Sequence, residues 1–227
     1  APDVVADGRT RPFLKIQDGC DAFCTYCIVP YARGPSRSKS LESVLAGIQA
    51  LSGSGYQEIV LTGIHLGNYG DDLIPKTCLG ELLNRIDDLN MIARVRLSSI
   101  EPLELTDDII KRVAGSKLFC RHFHIPLQSG DDRTLQKMGR PYAADDFRQL
   151  VTKIHNRLPD AAIGVDTLIG FPGETDTAFE NTYALIEALP VAYLHVFPFS
   201  PRPGTPAAGY PNKVSPNVVK RRCERMR

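Results

Sequence analysis

The sequence has no apolar stretch approaching the roughly 18 residues that a membrane-spanning helix needs, and its opening lacks the charged-then-apolar layout of a signal peptide. These two absences predict a cytoplasmic protein with no membrane partner. Charge of one sign is not in excess either: 27 Lys and Arg stand against 26 Asp and Glu, a formal net charge of +1. A dedicated nucleic-acid binder with an overall basic surface is thereby excluded, so a polyanionic partner must be met by a local patch. Two patches exist, Arg33, Arg37 and Lys39 in one and Lys220, Arg221, Arg222, Arg225 and Arg227 in the other; for the second, a solvated face is the plain alternative. Cysteine is scarce too, six in 227 residues, too few for a disulfide scaffold, and the bunching of three of them argues for metal. Low-complexity segments and short repeats are lacking. The chain opens on Ala1 and not on methionine, which leads to the expectation of a piece of something longer.

Hydrophobic residues, at 43%, suffice for a substantial core. Short β-branched or apolar runs alternate with longer segments of three-and-four spacing. The strand-like runs are Phe13 to Gln17, Glu58 to Leu61, Ala93 to Ser98, Arg121 to Pro126, Ile163 to Ile169 and Ala192 to Phe197. The helical segments are Ser40 to Leu51, Leu79 to Leu89, Asp107 to Ala114, Asp145 to Asn156 and Phe179 to Leu189. Start signals accompany several of these helices: Thr106 before Asp107 and Asp108, a capping-box spacing of Thr177 with Glu180, and Ser215 followed by Pro216 for a last helix. Runs such as Ile59 to Leu61 scarcely alternate, as expected of parallel strands buried on both faces. A closed eight-unit barrel takes about 250 residues. The expectation is therefore an α/β fold, a partial (βα)6 TIM-like barrel open on one side, with residues 1–12 as a linker and 13–227 as the core domain.

Cys20, Cys24 and Cys27 form C-x3-C-x2-C directly after the first predicted strand, at the end where βα barrels carry their sites. Three closely spaced thiolates can hold three corners of a 4Fe-4S cluster and leave its fourth iron open. An open iron can chelate the amino and carboxylate groups of S-adenosylmethionine, whose sulfonium then receives an electron. Tyr26 offers an aromatic face for the adenine. Zinc prefers four ligands, commonly as two separated pairs, and no second pair is evident. A ferredoxin would add a fourth cysteine in series, whereas Cys78, Cys120 and Cys223 stand far apart. These three read as small apolar side chains, with Cys120 at the far end of the barrel.

On these residues the sequence resembles the radical S-adenosylmethionine superfamily, and within it the methylthiotransferases. QDGCDAFCTYCIVPYARGPSRS (Gln17 to Ser38) is similar to the family's cluster loop and HIPLQSGDDRTLQKMGRPY (His124 to Tyr142) to its second signature. DTLIGFPGET (Asp166 to Thr175) and SPRPGTPAA (Ser200 to Ala208) are similar to two more. The resemblance implies a tRNA methylthiotransferase core that cleaves S-adenosylmethionine with a 4Fe-4S cluster. It also implies a second 4Fe-4S cluster in an N-terminal domain that this chain lacks, a tRNA anticodon stem-loop as partner of the full-length protein, and an electron donor such as flavodoxin or ferredoxin. TGIHLGNYG (Thr62 to Gly70), and Ala32 with Arg33 after IVPY, resemble the branch that acts at C2 of threonylcarbamoyladenosine next to the anticodon. Branches acting on isopentenyladenosine or on a ribosomal-protein aspartate are the alternatives. A metal-stabilised RNA-binding domain is the non-enzymatic one.

Candidate cofactor contacts are the polar or glycine positions just past each apolar run. Gly63 and His65 follow the second run, where a missing Cβ lets backbone approach the methionine end. Ser99 and Glu101, with Ser98, end the third run and suit ribose hydroxyls. Gln128 and Ser129 end the fourth. Asp166 lies inside the fifth, where a charge needs a partner, and is expected to point toward the site. Phe197, with Phe199, is placed to pack on adenine or in the core. For His65, Arg140 and Arg202 more than one role stays open.

Overall fold

The computed structural model describes residues 10–227; residues 1–9, most of the expected linker, lie outside the described residues. In chain order the elements are β1 (Phe13–Lys15), β2 (Gln17–Asp18), α1 (Val29–Arg33), β3 (Arg37–Ser38), α2 (Leu41–Gly53), β4 (Glu58–Thr62), α3 (Leu79–Leu89), β5 (Arg94–Leu97) and α4 (Asp107–Gly115). They continue as β6 (His122–Gln128), α5 (Asp132–Met138), α6 (Ala144–Arg157), β7 (Ala162–Ile169), α7 (Asp176–Glu187), β8 (Tyr193–Pro198) and α8 (Pro216–Met226). Short 3-10 turns occupy Leu66–Asn68, Pro102–Glu104 and Pro206–Gly209.

Two compact units form, one reaching to Asp21 and resuming over Arg33–His124, the other comprising Ala22–Ala32 and Ile125–Arg227. In the first, β4 lies between β1 and β5, and both pairings are parallel, with Leu14 opposite Leu61 and Ile59 opposite Val95. β4 is buried along most of its length, which accounts for its unbroken apolar run. Its core gathers Leu14 and Ile16 with Val44, Ile48 and Leu51 of α2, and with Leu82, Leu83 and Ile86 of α3, all buried. In the second unit the sheet order is β6, β7, β8, and β7 pairs with β8 in parallel, Asp166 opposite His195 and Leu168 opposite Phe197. Phe147, Val151 and Ile154 of α6 are fully buried there, and α8 packs Cys223 and Met226 against Ile169, Phe179 and Val196.

Two sequence expectations are corrected and one helix is added. The run Phe13 to Gln17 is not one strand: β1 ends at Lys15, and β2 pairs antiparallel with β3, because the Gln17 side chain turns inward to bond the loop that follows. The capping box of Thr177 with Glu180 does not form, since α7 starts earlier: Thr175 is the N-cap and accepts from the backbone N–H of Ala178. Glu180 pairs instead with Arg225. The helix α5 was not anticipated, although Asp131 caps its start and Gly139, in the left-handed region, its end. Thr106 and the Ser215–Pro216 start behave as expected.

Candidate functional site around the cysteine loop

In the first unit the loop begins at Gln17, whose buried side chain organises it. Its Nε2 donates to the carbonyls of Gly19 and Asp18 and to Ser36 Oγ at 2.8, 3.1 and 2.9 Å, and its Oε1 accepts from the backbone N–H of His65 at 2.8 Å. Cys20, half-buried, donates its own N–H to the Gly34 carbonyl. Its sulfur lies 3.4 Å from His65 Nδ1. His65 Nε2 lies 2.5 Å from Glu104 Oε1, near enough for an ion pair though off the hydrogen-bond line. Burial alone would lower the His65 pKa, but the contacts with Cys20 and Glu104 outweigh it and raise the value to about 10.

Gly63 has a packing reason besides the one expected. A Cβ there would sit 2.8 Å from Gln17 Oε1, so its bare Cα makes room for the Gln17 amide. Beyond β5, Ser99 Oγ lies 3.2 Å from His124 Nδ1, and Ser98 Oγ is buried with no hydrogen-bond partner among the described residues. Glu101 is half-buried and opens the turn Pro102–Glu104.

In the second unit the rest of the loop is tied down by two of the sequence blocks. Thr25 donates from its N–H to the Met138 carbonyl at 2.9 Å and from its hydroxyl to the Lys137 carbonyl at 2.8 Å, while its own carbonyl accepts from Ala207 N–H at 2.9 Å. Cys27 N–H closes a turn on the Cys24 carbonyl. Cys24 is buried, and Arg140 Nη1 approaches its sulfur at 3.5 Å. Arg140, itself buried, also donates from Nε to Tyr142 Oη at 3.0 Å, so of the roles open to it the surface one is overturned. Tyr26 packs against Met138, Phe171 and Ala207 together with Phe199 and Tyr210. Arg202 is exposed.

Asp166 has the partner that its burial requires: His195 Nδ1 lies 3.1 Å from its Oδ1 across the β7–β8 register. Phe197 is half exposed and meets His195 edge-on, so it is not core. Gln128 ends β6 in the left-handed region and is half-buried. Ser129 is buried, and its hydroxyl bonds Thr182 and accepts from Asp131 N–H, fastening the strand end to α7. None of the six cysteines is disulfide-bonded. Cys223 is buried as expected and Cys120 half-buried, but Cys78 is exposed at the start of α3.

Glu104 and Gln17 were missed by sequence reasoning. Gln17 carried a signal, since it opens the cysteine block; Glu104 carried none that separates it from Glu101. Of the C-terminal basic patch only Arg222 is buried, on Glu174 and Asp176; Lys220, Arg221, Arg225 and Arg227 are exposed, with Arg225 paired to Glu180.

Parallel βα units with a three-cysteine loop just past the first strands define the class of a radical S-adenosylmethionine enzyme domain. The chain belongs to the Radical SAM superfamily, whose family model matches residues 14–186. It is 43% identical over 219 residues to the threonylcarbamoyladenosine tRNA methylthiotransferase MtaB of Bacillus subtilis (strain 168), a match covering 96% of this chain and 48% of that protein. To the tRNA-2-methylthio-N(6)-dimethylallyladenosine synthase of Pelotomaculum thermopropionicum it is 38% identical over 214 residues, covering 94% and 48%. The chain spans about half the length of these curated relatives. The solved structure of the radical S-adenosylmethionine methyltransferase TsrM from Kitasatospora setae matches with a TM-score of 0.72 and 19% identity, over 87% of this chain and 38% of that one, a likeness of fold alone. The α/β class with parallel sheets, as in a partial barrel, is thus the expected one. Among the described residues no helix is long and apolar enough to cross a membrane.

Proposed function

We propose that this chain is the central catalytic domain of a cytoplasmic tRNA methylthiotransferase. In it Cys20, Cys24 and Cys27 hold three irons of a 4Fe-4S cluster, and S-adenosylmethionine takes the fourth. The observation that carries the reading is the hold on the cysteine loop: Arg140 of one sequence block reaches the Cys24 sulfur, and Ala207 of another fixes Thr25. The donor set fits the group, because a guanidinium beside one sulfur and an imidazole beside another are what thiolates need to carry negative charge in a partly buried site.

When bound, the reduced cluster supplies the electron that cleaves a carbon–sulfur bond of S-adenosylmethionine. The chain's own residues bind and orient. Arg140 offsets charge at Cys24, Tyr26 offers a ring beside the loop, and Ser99 and Glu101 present hydroxyl and carboxylate at a strand end, where ribose hydroxyls are bonded. Gln128, Asp166 and Phe197 complete the set of strand-end contacts. Gly63 makes room for Gln17, and the Ser129 hydroxyl fastens its strand end to α7.

For the substrate, the higher identity to a threonylcarbamoyladenosine enzyme than to a dimethylallyladenosine one favours C2 of threonylcarbamoyladenosine next to the anticodon. Mass spectrometry of tRNA nucleosides from cells with and without the full-length gene tests it. The expected result is loss of the 2-methylthio group from threonylcarbamoyladenosine alone. Loss from isopentenyladenosine instead would move the protein to the other branch.

A further inference from the structure

Glu104 has no place among the ligand contacts above, yet the first unit is built closely around it. The His65 ring is held between two sulfur- and oxygen-bearing side chains: Glu104 Oε1 lies 2.5 Å from Nε2, and Cys20 Sγ lies 3.4 Å from Nδ1. Asn68 Nδ2 is 3.3 Å from the same Nδ1, and Gln17 Oε1 anchors the His65 backbone. Neither partner is free to wander, since the side chains of His65 and Glu104 are only 11% and 22% exposed. Gly67 supplies the space for the carboxylate. A Cβ at that position would overlap the Glu104 carboxylate and lie 2.5 Å from the Glu104 Cβ.

We infer that Glu104 is a positioning residue which, acting through His65, holds the Cys20 sulfur in place as an iron ligand. This rests on the reading of Cys20 as a cluster ligand. A carboxylate only accepts hydrogen bonds, and an iron-bound thiolate does the same. The ring is held between them, and the Glu104 carboxylate beside Nε2 fixes how Nδ1 faces the Cys20 sulfur. An N–H directed at a cluster sulfur draws charge from it and favours the reduced state, which raises the reduction potential.

The test is to reconstitute the chain anaerobically as wild type, Glu104→Gln, Gly67→Ala and His65→Asn. Iron per chain and the cluster's midpoint potential, the latter by titration followed by electron paramagnetic resonance, are then measured. The expected result is a more negative potential in Glu104→Gln and Gly67→Ala, and a larger shift in the same direction in His65→Asn. Lower iron retention in Glu104→Gln with circular dichroism unchanged would also support it, as a loosened Cys20 would produce. Gly67→Ala leaves all the interacting groups in place and only displaces the carboxylate, so a wild-type potential in that variant, with iron retained, overturns the proposal. A wild-type chain that takes up no iron would instead overturn the cluster reading itself.

Discussion

Replacing Cys24 by Ala is expected to reduce reconstituted iron from about four per chain, the content of a cubane cluster, to background, with loss of the broad visible absorption. The side chain removed is small and buried, so packing loses little. Circular dichroism and the urea midpoint should therefore stay near wild type while iron disappears. Separating the two readouts matters because Cys24 also receives Arg140 Nη1 at 3.5 Å. Without the sulfur that guanidinium keeps its bond to Tyr142. Iron uptake at the wild-type level in Cys24→Ala would remove this residue from the ligand set, and stable binding of one zinc by the wild type would remove the cluster.

Arg222→Ala is expected to lower the unfolding free energy by about 3–5 kcal/mol at neutral pH, the range for breaking a buried ion pair from one side. Arg222 donates from Nη1 to Glu174 Oε1 at 2.6 Å and to the Glu174 carbonyl at 3.2 Å, and its guanidinium lies 5.5 Å from the Phe179 ring centre. Truncation leaves the Glu174 carboxylate buried with only the Gly170 N–H, 3.0 Å from its Oε2. Burial already pushes the Glu174 carboxyl up, against the pull of the Gly170 N–H and Arg222. In the variant the folded state therefore holds that proton more readily than the unfolded chain does. Its stability should fall as pH rises through and above the ordinary carboxylate range near ~4.3. The deficit relative to wild type should shrink toward acid pH, and Glu174→Gln added to Arg222→Ala should recover part of it. Urea titrations at several pH values measure this. A small loss that does not vary with pH would contradict the buried pair.

Much of the fold was legible because its βα units follow periodicity. Leu79–Leu89 matches in both bounds, and β4 was recognisable from an unbroken apolar run that both-sided burial requires. The departures come from side chains that satisfy needs no local pattern announces. Gln17 breaks the first strand because its amide bonds four groups across the loop. The helix α5 was overlooked although Asp131 and Gly139 bracket it, because only seven residues carry its periodicity. At the site, the cysteine spacing was visible from sequence alone. What was not visible is long-range: Glu104 reaches His65 across the chain, Arg140 turns inward to Cys24, and Ser129 turns away to Thr182. Residue type and position at a strand end place a side chain near a site, but tertiary packing decides which partner it meets.

The measurement that tests the central claim most directly is anaerobic incubation of the reconstituted, reduced chain with S-adenosylmethionine, followed by mass spectrometry of the products. The account predicts 5'-deoxyadenosine and methionine in equal amounts, absent from a Cys24→Ala control. A fully loaded, reduced cluster that leaves S-adenosylmethionine intact, and whose electron paramagnetic resonance spectrum is unchanged by saturating cofactor, would contradict it.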